Sequence, residues 1–398
     1  MLKRFAYAIG GVFLLAGLWG IYDRLAFGHE NAAYGSYVVW GLWVAMYLFF
    51  AGTAAGGFML ATLDYLFNVP LFKGIGRLAL WGALVSLAAG LLSIWLDLGH
   101  MERIWKVYLQ GNPVSVMFQM VWGYTLFGLL MLASLILAIR SPQSRLLRIL
   151  MAIGLPLSLF VSGAVGALLG VQAARPFWHV GLFPVQFPVF SLASGAAMLL
   201  VAVGFFGQRD DPRRNQQLWT LGLISVVLLI VKLYFMWADY SQSVYGGVPM
   251  NVDAVNQVLF GRYWWAFWIL QLLIGSIIPL VVLIQPKWAK HNLVAGWMGL
   301  LLLVGYAVAR ALIPIVDQRL DSGGLERVVQ PPGGVHALRV GGLDRGDQDF
   351  VGRQHDRPDD AVLVVADFDQ RGDDPVDADA VAAHDDRVEL LLVVEESR

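Results

Sequence analysis

Nine stretches of about twenty apolar residues constrain this chain more than anything else in it. Each is long enough to cross the roughly 30 Å hydrocarbon core of a bilayer as a helix. They fall at about 5–22, 36–67, 77–98, 114–139, 147–172, 184–207, 218–240, 263–285 and 292–316. The second is too long for one straight span and predicts a tilt or an extra turn outside the hydrocarbon. The first follows Lys3 and Arg4, as in a secretory signal. No small-residue cleavage site precedes Asp23, however, so it reads as a retained helix. Only 14% of the 398 residues are charged, against about 25% in a soluble domain. The predicted fold class is an all-α polytopic membrane protein with about nine transmembrane helices. A soluble globular protein, a disordered chain and a nucleic-acid binder are excluded.

Charge divides the chain in two. Residues 1–320 carry 20 Lys+Arg against 10 Asp+Glu, and residues 321–398 carry 8 Arg against 19 Asp+Glu. Counting Lys and Arg in the loops orients the body, because cytoplasmic loops collect them. With the N-terminus inside, twelve fall on inner segments, among them Lys73, Arg77, Arg148, Arg213 and Lys287. Five fall outside: Arg24, Arg103, Lys106, Arg175 and Arg262. This orients a multi-pass membrane protein with its N-terminus in the cytoplasm. Residues 97–113, 173–183 and 240–262 then face outward. The acidic tail, 317–398, has short apolar runs and poor periodicity, and reads as disordered. Its loss of Lys, Tyr and Trp also fits translation in a shifted frame, which the gene's nucleotide sequence would decide.

Two small-residue repeats, Gly52-x-x-x-Gly56 and Ser162-x-x-x-Gly166-x-x-x-Gly170, mark faces where backbones approach closely. Ionisable groups inside a membrane are costly and so are functional candidates. The spans hold Asp64, Asp97, Lys232, Asp239 and Arg310. All but Asp64 lie in the outer half or near mid-depth, with Gln119, Gln172 and Gln186 near outer ends. Lys232 and Asp239 are seven apart, on one helix face about 10.5 Å apart in rise, placed to line one cavity. The other reading for Lys232 is an ion pair on a neighbouring helix. Asp239 reads equally as an interfacial residue, and Arg310 is expected to snorkel outward to the headgroups. Asp64 is expected to pair with Lys73 or Arg77.

The outer loop from Asp97 to Lys106 packs Asp97, His100, Glu102, Arg103 and Lys106 into ten residues. A quinone headgroup, with two hydrogen-bond-accepting carbonyls and two protons to gain, suits such donors and a proton-exchanging carboxylate. Trp105, Tyr108, Trp122 and Tyr124 supply aromatic walls nearby. The plainer reading of the loop is an amphipathic interfacial turn. There is no cysteine, and His29, His100, His179 and His291 all fall at helix ends or in loops. Neither haem nor metal is therefore expected, and electrons would have to come from a partner.

Trp40-Gly41-Leu42-Trp43 running through Phe49-Phe50-Ala51-Gly52-Thr53-Ala54-Ala55-Gly56-Gly57 resembles the opening core helix of NrfD-like proteins. These are membrane subunits of polysulfide-reductase-type complexes. Asp97-Leu98-Gly99-His100-x-Glu102-Arg103 followed by Asn112-Pro113-Val114-Ser115 is similar to that family's loop, with a variant final pair. His179-x-Gly181-Leu182-x-Pro184 through Ser194-Gly195 is similar to its mid-chain element. The likeness covers about residues 31–316. The extra first helix is more like the hydrogenase- and sulfite-reductase-linked branches.

Hydropathy gives an N-terminal helix and outer loop (1–35), and the resemblance implies two four-helix bundles (36–172 and 173–316) ahead of the tail, in the cytoplasmic (inner) membrane of a bacterium. It also implies a quinone site near the outer face beside a docked iron–sulfur subunit. Beyond that subunit would lie a molybdopterin enzyme, a hydrogenase or a multihaem cytochrome. The expected function is a quinone-binding membrane subunit of a bacterial respiratory oxidoreductase, serving menaquinone or ubiquinone. The expected headgroup residues are His100, Arg103, Tyr108, Tyr124 and Lys232, and Asp97, Glu102 and Asp239 are expected to exchange protons. Arg175 would face the partner. A secondary transporter and a structural anchor without quinone chemistry are the alternatives, the first on a faint echo between Leu80-Trp81…Asp97 and Leu218-Trp219…Asp239.

Overall fold

The first apolar stretch forms α1, Leu2–Phe27, and its end is fastened to the chain that follows. The buried Arg24 side chain donates through Nε to the Leu96 carbonyl (2.6 Å) and through Nη2 to the Leu98 carbonyl (2.7 Å). These groups lie at the end of α3, where carbonyls have no partner within the helix and favour a cation. The computed structural model describes residues 2–29, 40–173, 175, 178–207 and 211–329. All belong to one unit, Met1–Val335, and the second unit, His336–Arg398, lies outside the described residues.

Among the described residues eight helices are long and apolar enough to cross a membrane, against the nine expected, and α1 is not one of the eight. They are α2 (Leu42–Tyr65), α3 (Gly76–Asp97), α5 (Val116–Arg140), α6 (Arg145–Gly170), α7 (Phe183–Val201, continued as a π-helix over Ala202–Phe206), α8 (Arg214–Tyr245), α10 (π-helical over Ala266–Ile277, then α-helical over Ile278–Leu283) and the described part of α12 (Asn292–Val329). Short helices α4 (Trp105–Leu109), α9 (Pro249–Leu259) and α11 (Pro286–Ala289) sit in the connections. No strand occurs among the described residues. The chain is an all-α polytopic membrane protein.

Two expected boundaries move. The stretch 36–67 needs no extra turn, because its helix runs only from Leu42 to Tyr65, about 36 Å at 1.5 Å per residue. At the other end α12 continues to Val329, beyond the expected close at 316. The expected disorder of 330–398 lies outside the described residues.

Helix α2 is the most enclosed span and packs on α3, α6, α7 and α12. Small residues make this possible. A Cβ on Gly56 would sit 1.8 Å from the Ser191 carbonyl oxygen, and one on Gly195 would sit 2.3 Å from the Gly56 carbonyl carbon. On α6, a Cβ on Gly166 would sit 2.4 Å from the Phe183 carbonyl oxygen. Ser162 and Ser191 share a hydrogen bond of 2.6 Å across the same crossing. Both repeats therefore do what their spacing suggests, bringing α2 and α6 against α7. On the far side, α7, α8, α10 and α12 pack on one another.

At the end opposite Asp97, the Asp64 carboxylate accepts the backbone N–H groups of Gly74 (2.9 Å) and Gly76 (3.0 Å). It thus caps the start of α3, where a negative charge is favoured. The expected ion pair with Lys73 or Arg77 is replaced by these amides.

Candidate functional site

A cavity of about 520 Å³ opens among α7, α8, α9, α10 and α12, at the end of the bundle where Asp97 lies. Residues 179–183, ahead of and at the start of α7, form its mouth together with Gln242 and Ser243 of α8. From Ser243 down to Lys232 the α8 wall descends eleven residues, about 16 Å. Phe49 of α2 closes one side.

The walls carry far more unpaired polar atoms than an interior tolerates. Lys232 Nζ, Tyr306 OH, Arg310 Nη1, Gln186 Oε1, Gln271 Oε1 and Asn251 Oδ1 are buried without a hydrogen-bond partner among the described residues. Each such atom costs about 1–3 kcal/mol if nothing meets it. A polar occupant or ordered water relieves that cost. Three of the six are donors of cationic or phenolic type, and three are amide oxygens.

Helix periodicity and helix defects both position these groups. Asp239 accepts both hydrogen bonds from Gln186 Nε2, at 3.0 Å to each oxygen, so α7 holds the carboxylate of α8. Lys232, only 4% exposed, places Nζ 4.9 Å from the centroid of the Tyr306 ring. It forms no ion pair among the described residues, and the neighbouring-helix carboxylate allowed by the sequence is replaced there by an aromatic face. Arg310 does not snorkel. It is 6% exposed, and its guanidinium stands 3.8 Å from the Phe187 centroid and 5.5 Å from that of Phe190. Gln271 lies within the π-helical stretch of α10, and its Nε2 donates to Met236 Sδ (3.0 Å). Ser276 Oγ donates back to the Gln271 carbonyl (2.8 Å), as suits a helix with a widened turn.

Of the residues expected from sequence, Lys232 and Asp239 line this cavity. Their seven-residue spacing puts both on one wall. Tyr124 is buried behind it. Its ring meets that of Tyr47 edge-on at 6.1 Å, with the two hydroxyls facing each other and the Arg310 charge close by.

The others do not line the cavity. His100, Glu102 and Arg103 form an exposed ladder: His100 Nδ1 is 3.0 Å and Arg103 Nε 3.5 Å from Glu102 Oε1, with side chains 57–67% exposed. The Glu102 carboxyl is held below the usual range by its own backbone N–H and then by His100. Asp97 ends α3, where its backbone meets His29. The His29 imidazole is pulled below its ordinary value by burial and by Arg24. Tyr108 shares a hydrogen bond with Thr125 (3.0 Å) and packs edge-on against Trp122. Arg175 lies 5.9 Å from the Trp178 ring, and Trp178 stacks on Trp40 and donates to the Ile313 carbonyl. No cluster of three His, Cys, Asp or Glu able to hold a metal occurs among the described residues.

The sequence reading passed over Gln271 and Tyr306 and left Gln186 outside its site. The available signal was an amide inside an apolar span, as in Trp268-Ile269-Leu270-Gln271-Leu272-Leu273.

A bundle of membrane-crossing helices with a buried, polar, one-ended cavity and no ligand set for a metal among the described residues defines a class. It is an integral membrane protein of α-helices. Comparison with known proteins narrows that class: the family described as "Polysulphide reductase, NrfD" matches residues 30–318, and the chain belongs to it. A selenate reductase subunit of Mesobacillus selenatarsenatis is 31% identical over 79% of this chain and 82% of its own. An Hdr-like menaquinol oxidoreductase integral membrane subunit of Archaeoglobus fulgidus is 26% identical over 63% of each chain. A menaquinone reductase integral membrane subunit of Nitratidesulfovibrio vulgaris is 23% identical over 79% of this chain and 81% of its own.

Proposed function

We propose that this chain is the quinone-binding membrane subunit of a bacterial respiratory oxidoreductase, and that the cavity of Lys232, Asp239 and Arg310 receives the headgroup. The observation that carries this is the set of unpaired buried donors. Lys232 Nζ, Tyr306 OH and Arg310 Nη1 are the groups that two ring carbonyls need. The volume falls within the roughly 300–1,000 Å³ usual for small-molecule sites, and Phe49, Phe183, Phe190 and Leu312 offer apolar wall for a ring and the start of a tail. Two relatives named for menaquinol or menaquinone point the same way.

A bound quinone would supply a carrier of two electrons and two protons. The protein's part is to hold the ring and to manage protons. Asp239, steadied by Gln186, is the carboxylate beside the cavity and the group placed to exchange protons. The mouth lies at the expected outer end, and the inner-end Asp64 is committed to backbone amides. Proton exchange on the outer side without charge transfer across the membrane follows. A potential-sensitive dye in vesicles that responds to turnover would refute it.

Electrons would arrive from an iron–sulfur subunit docked at the Asp97 end. A molybdopterin enzyme, a hydrogenase or a multihaem cytochrome would lie beyond; relatives named as subunits of a selenate reductase and of a Ni/Fe-hydrogenase support a catalytic partner in general. The exposed His100–Glu102–Arg103 ladder suits that docking face, because rim charges steer association.

Photolabelling of the purified complex with an azidoquinone tests the site. Label on peptides containing Gln186, Lys232 or Tyr306 supports it. Label confined to residues 97–109 moves the headgroup to the loop. A chain that takes no label and carries a solute across vesicles is a transporter.

A further inference from the structure

A second and larger cavity, about 860 Å³, lies at the other end of the bundle, and the proposed quinone chemistry does not use it. It sits where α2, α5 and the π-helical end of α7 stop and α3, α6 and α8 start. Five cations line it, Lys73, Arg77, Arg148, Arg213 and Arg214, against two acids, Asp64 and Asp211. Both acids are engaged, Asp64 by the Gly74 and Gly76 amides and Asp211 by Arg213 through Nε and Nη2, at 3.1 Å each. Three of the cations brace the walls. Arg77 donates to the Ala138 carbonyl, Arg213 to that of Pro70, and Arg214 to those of Val203, Gly204 and Gly207. The side chains of Lys73 and Arg148 form neither a hydrogen bond nor an ion pair with any described residue, and both are exposed.

The floor of this cavity is apolar and open. Trp81 and Phe206 line it while 56% and 74% exposed. Trp81 stands five residues inside the start of α3, about 7.5 Å deeper along the helix. A basic rim at the ends of spans above exposed aromatic wall matches a phospholipid whose headgroup is anionic. Basic pockets between helices at a membrane face take such lipids. A free phosphate shares the headgroup's chemistry but has no use for the wall below.

We infer that this cavity is a binding site for an anionic phospholipid, its phosphate between Lys73 and Arg148 and its acyl chains against Trp81 and Phe206. The test is native mass spectrometry of the whole detergent-solubilised protein titrated with phosphatidylglycerol, phosphatidylcholine or inorganic phosphate. The K73Q/R148Q double variant is compared with K287Q/K290Q, which removes two exposed cations from a neighbouring loop outside the cavity. Wild type should retain one phosphatidylglycerol more tightly than phosphatidylcholine. K73Q/R148Q should lose that preference at least fivefold, K287Q/K290Q should keep it, and phosphate should not compete. Equal retention by both double variants, or displacement of the lipid by millimolar phosphate, overturns the inference. W81A tests the wall by itself: it should weaken lipid retention with all cations intact, and unchanged retention counts against the acyl-chain contact.

Discussion

The loop from Asp97 to Lys106 and the cavity around Lys232 lie at the same end of the molecule and use charge in opposite ways. The loop holds five ionisable groups in ten residues, and three of them pair with each other in the open. The cavity holds few charges, deeply set and only partly met. Water and salt leave exposed pairs such as His100–Glu102 worth little. Inside the bundle an unmet donor costs more than that. Density of charge therefore marks a surface, and unrelieved burial of charge marks a site.

The sharpest way to break this comparison is to remove one group from each side. Lys232→Met should lower quinone-linked turnover about a hundredfold, about 2.7 kcal/mol of barrier. Reduction of a soluble dye by the catalytic partner should persist. Asp239→Asn should follow with about a tenfold loss, about 1.4 kcal/mol. Gln186→Leu should give a smaller loss of the same kind, because it leaves the carboxyl group in place but unsteadied. Steady-state assays with a quinol analogue and with the dye, run side by side, check all three.

Arg24→Ala probes the boundary between the regions. It strips the partners from the Leu96 and Leu98 carbonyls and should cost about 1–3 kcal/mol. A lower melting temperature should accompany quinone turnover within about threefold of wild type.

The smallest effect should come from His100→Ala, with turnover changed less than about twofold in the assembled complex. Glu102 sharpens the point through pH. Its carboxyl is held below the usual range, so whatever it adds to stability is complete above the ordinary glutamate value and fades as pH falls through the lowered one. With both groups in water, that fading should be lost within the scatter of thermal melts. A tenfold loss in His100→Ala with Lys232→Met silent would invert the comparison.

The sequence made the spans legible because hydropathy is local: twenty neighbours decide whether a segment can cross. The α2–α7 seam was legible in part, since Gly52-x-x-x-Gly56 announces a close approach without naming the partner. Lys232 and Asp239 share a wall because seven residues are two helical turns. Gln186, Tyr306 and Arg310 reach the same cavity from α7 and α12, and which helices meet is set by packing over long separations. Arg310 misled for a related reason. Its aromatic partner Phe187 lies on another span, so nothing near Arg310 in the sequence offered it a way to stay inside.

The π-helical stretch of α10 acts as a rotational gear. Widening the turns over Ala266–Ile277 feeds extra chain into the helix and turns everything on one side of it relative to the other. Deleting one residue there would let the segment tighten toward α geometry and swing the Gln271 side by about 100°. The amide would then leave the cavity while Gly275 still met Gly305, so the packing of the helix and the facing of its polar group are separately adjustable. In that segment the chain has a way to re-aim a side chain without rebuilding the seam.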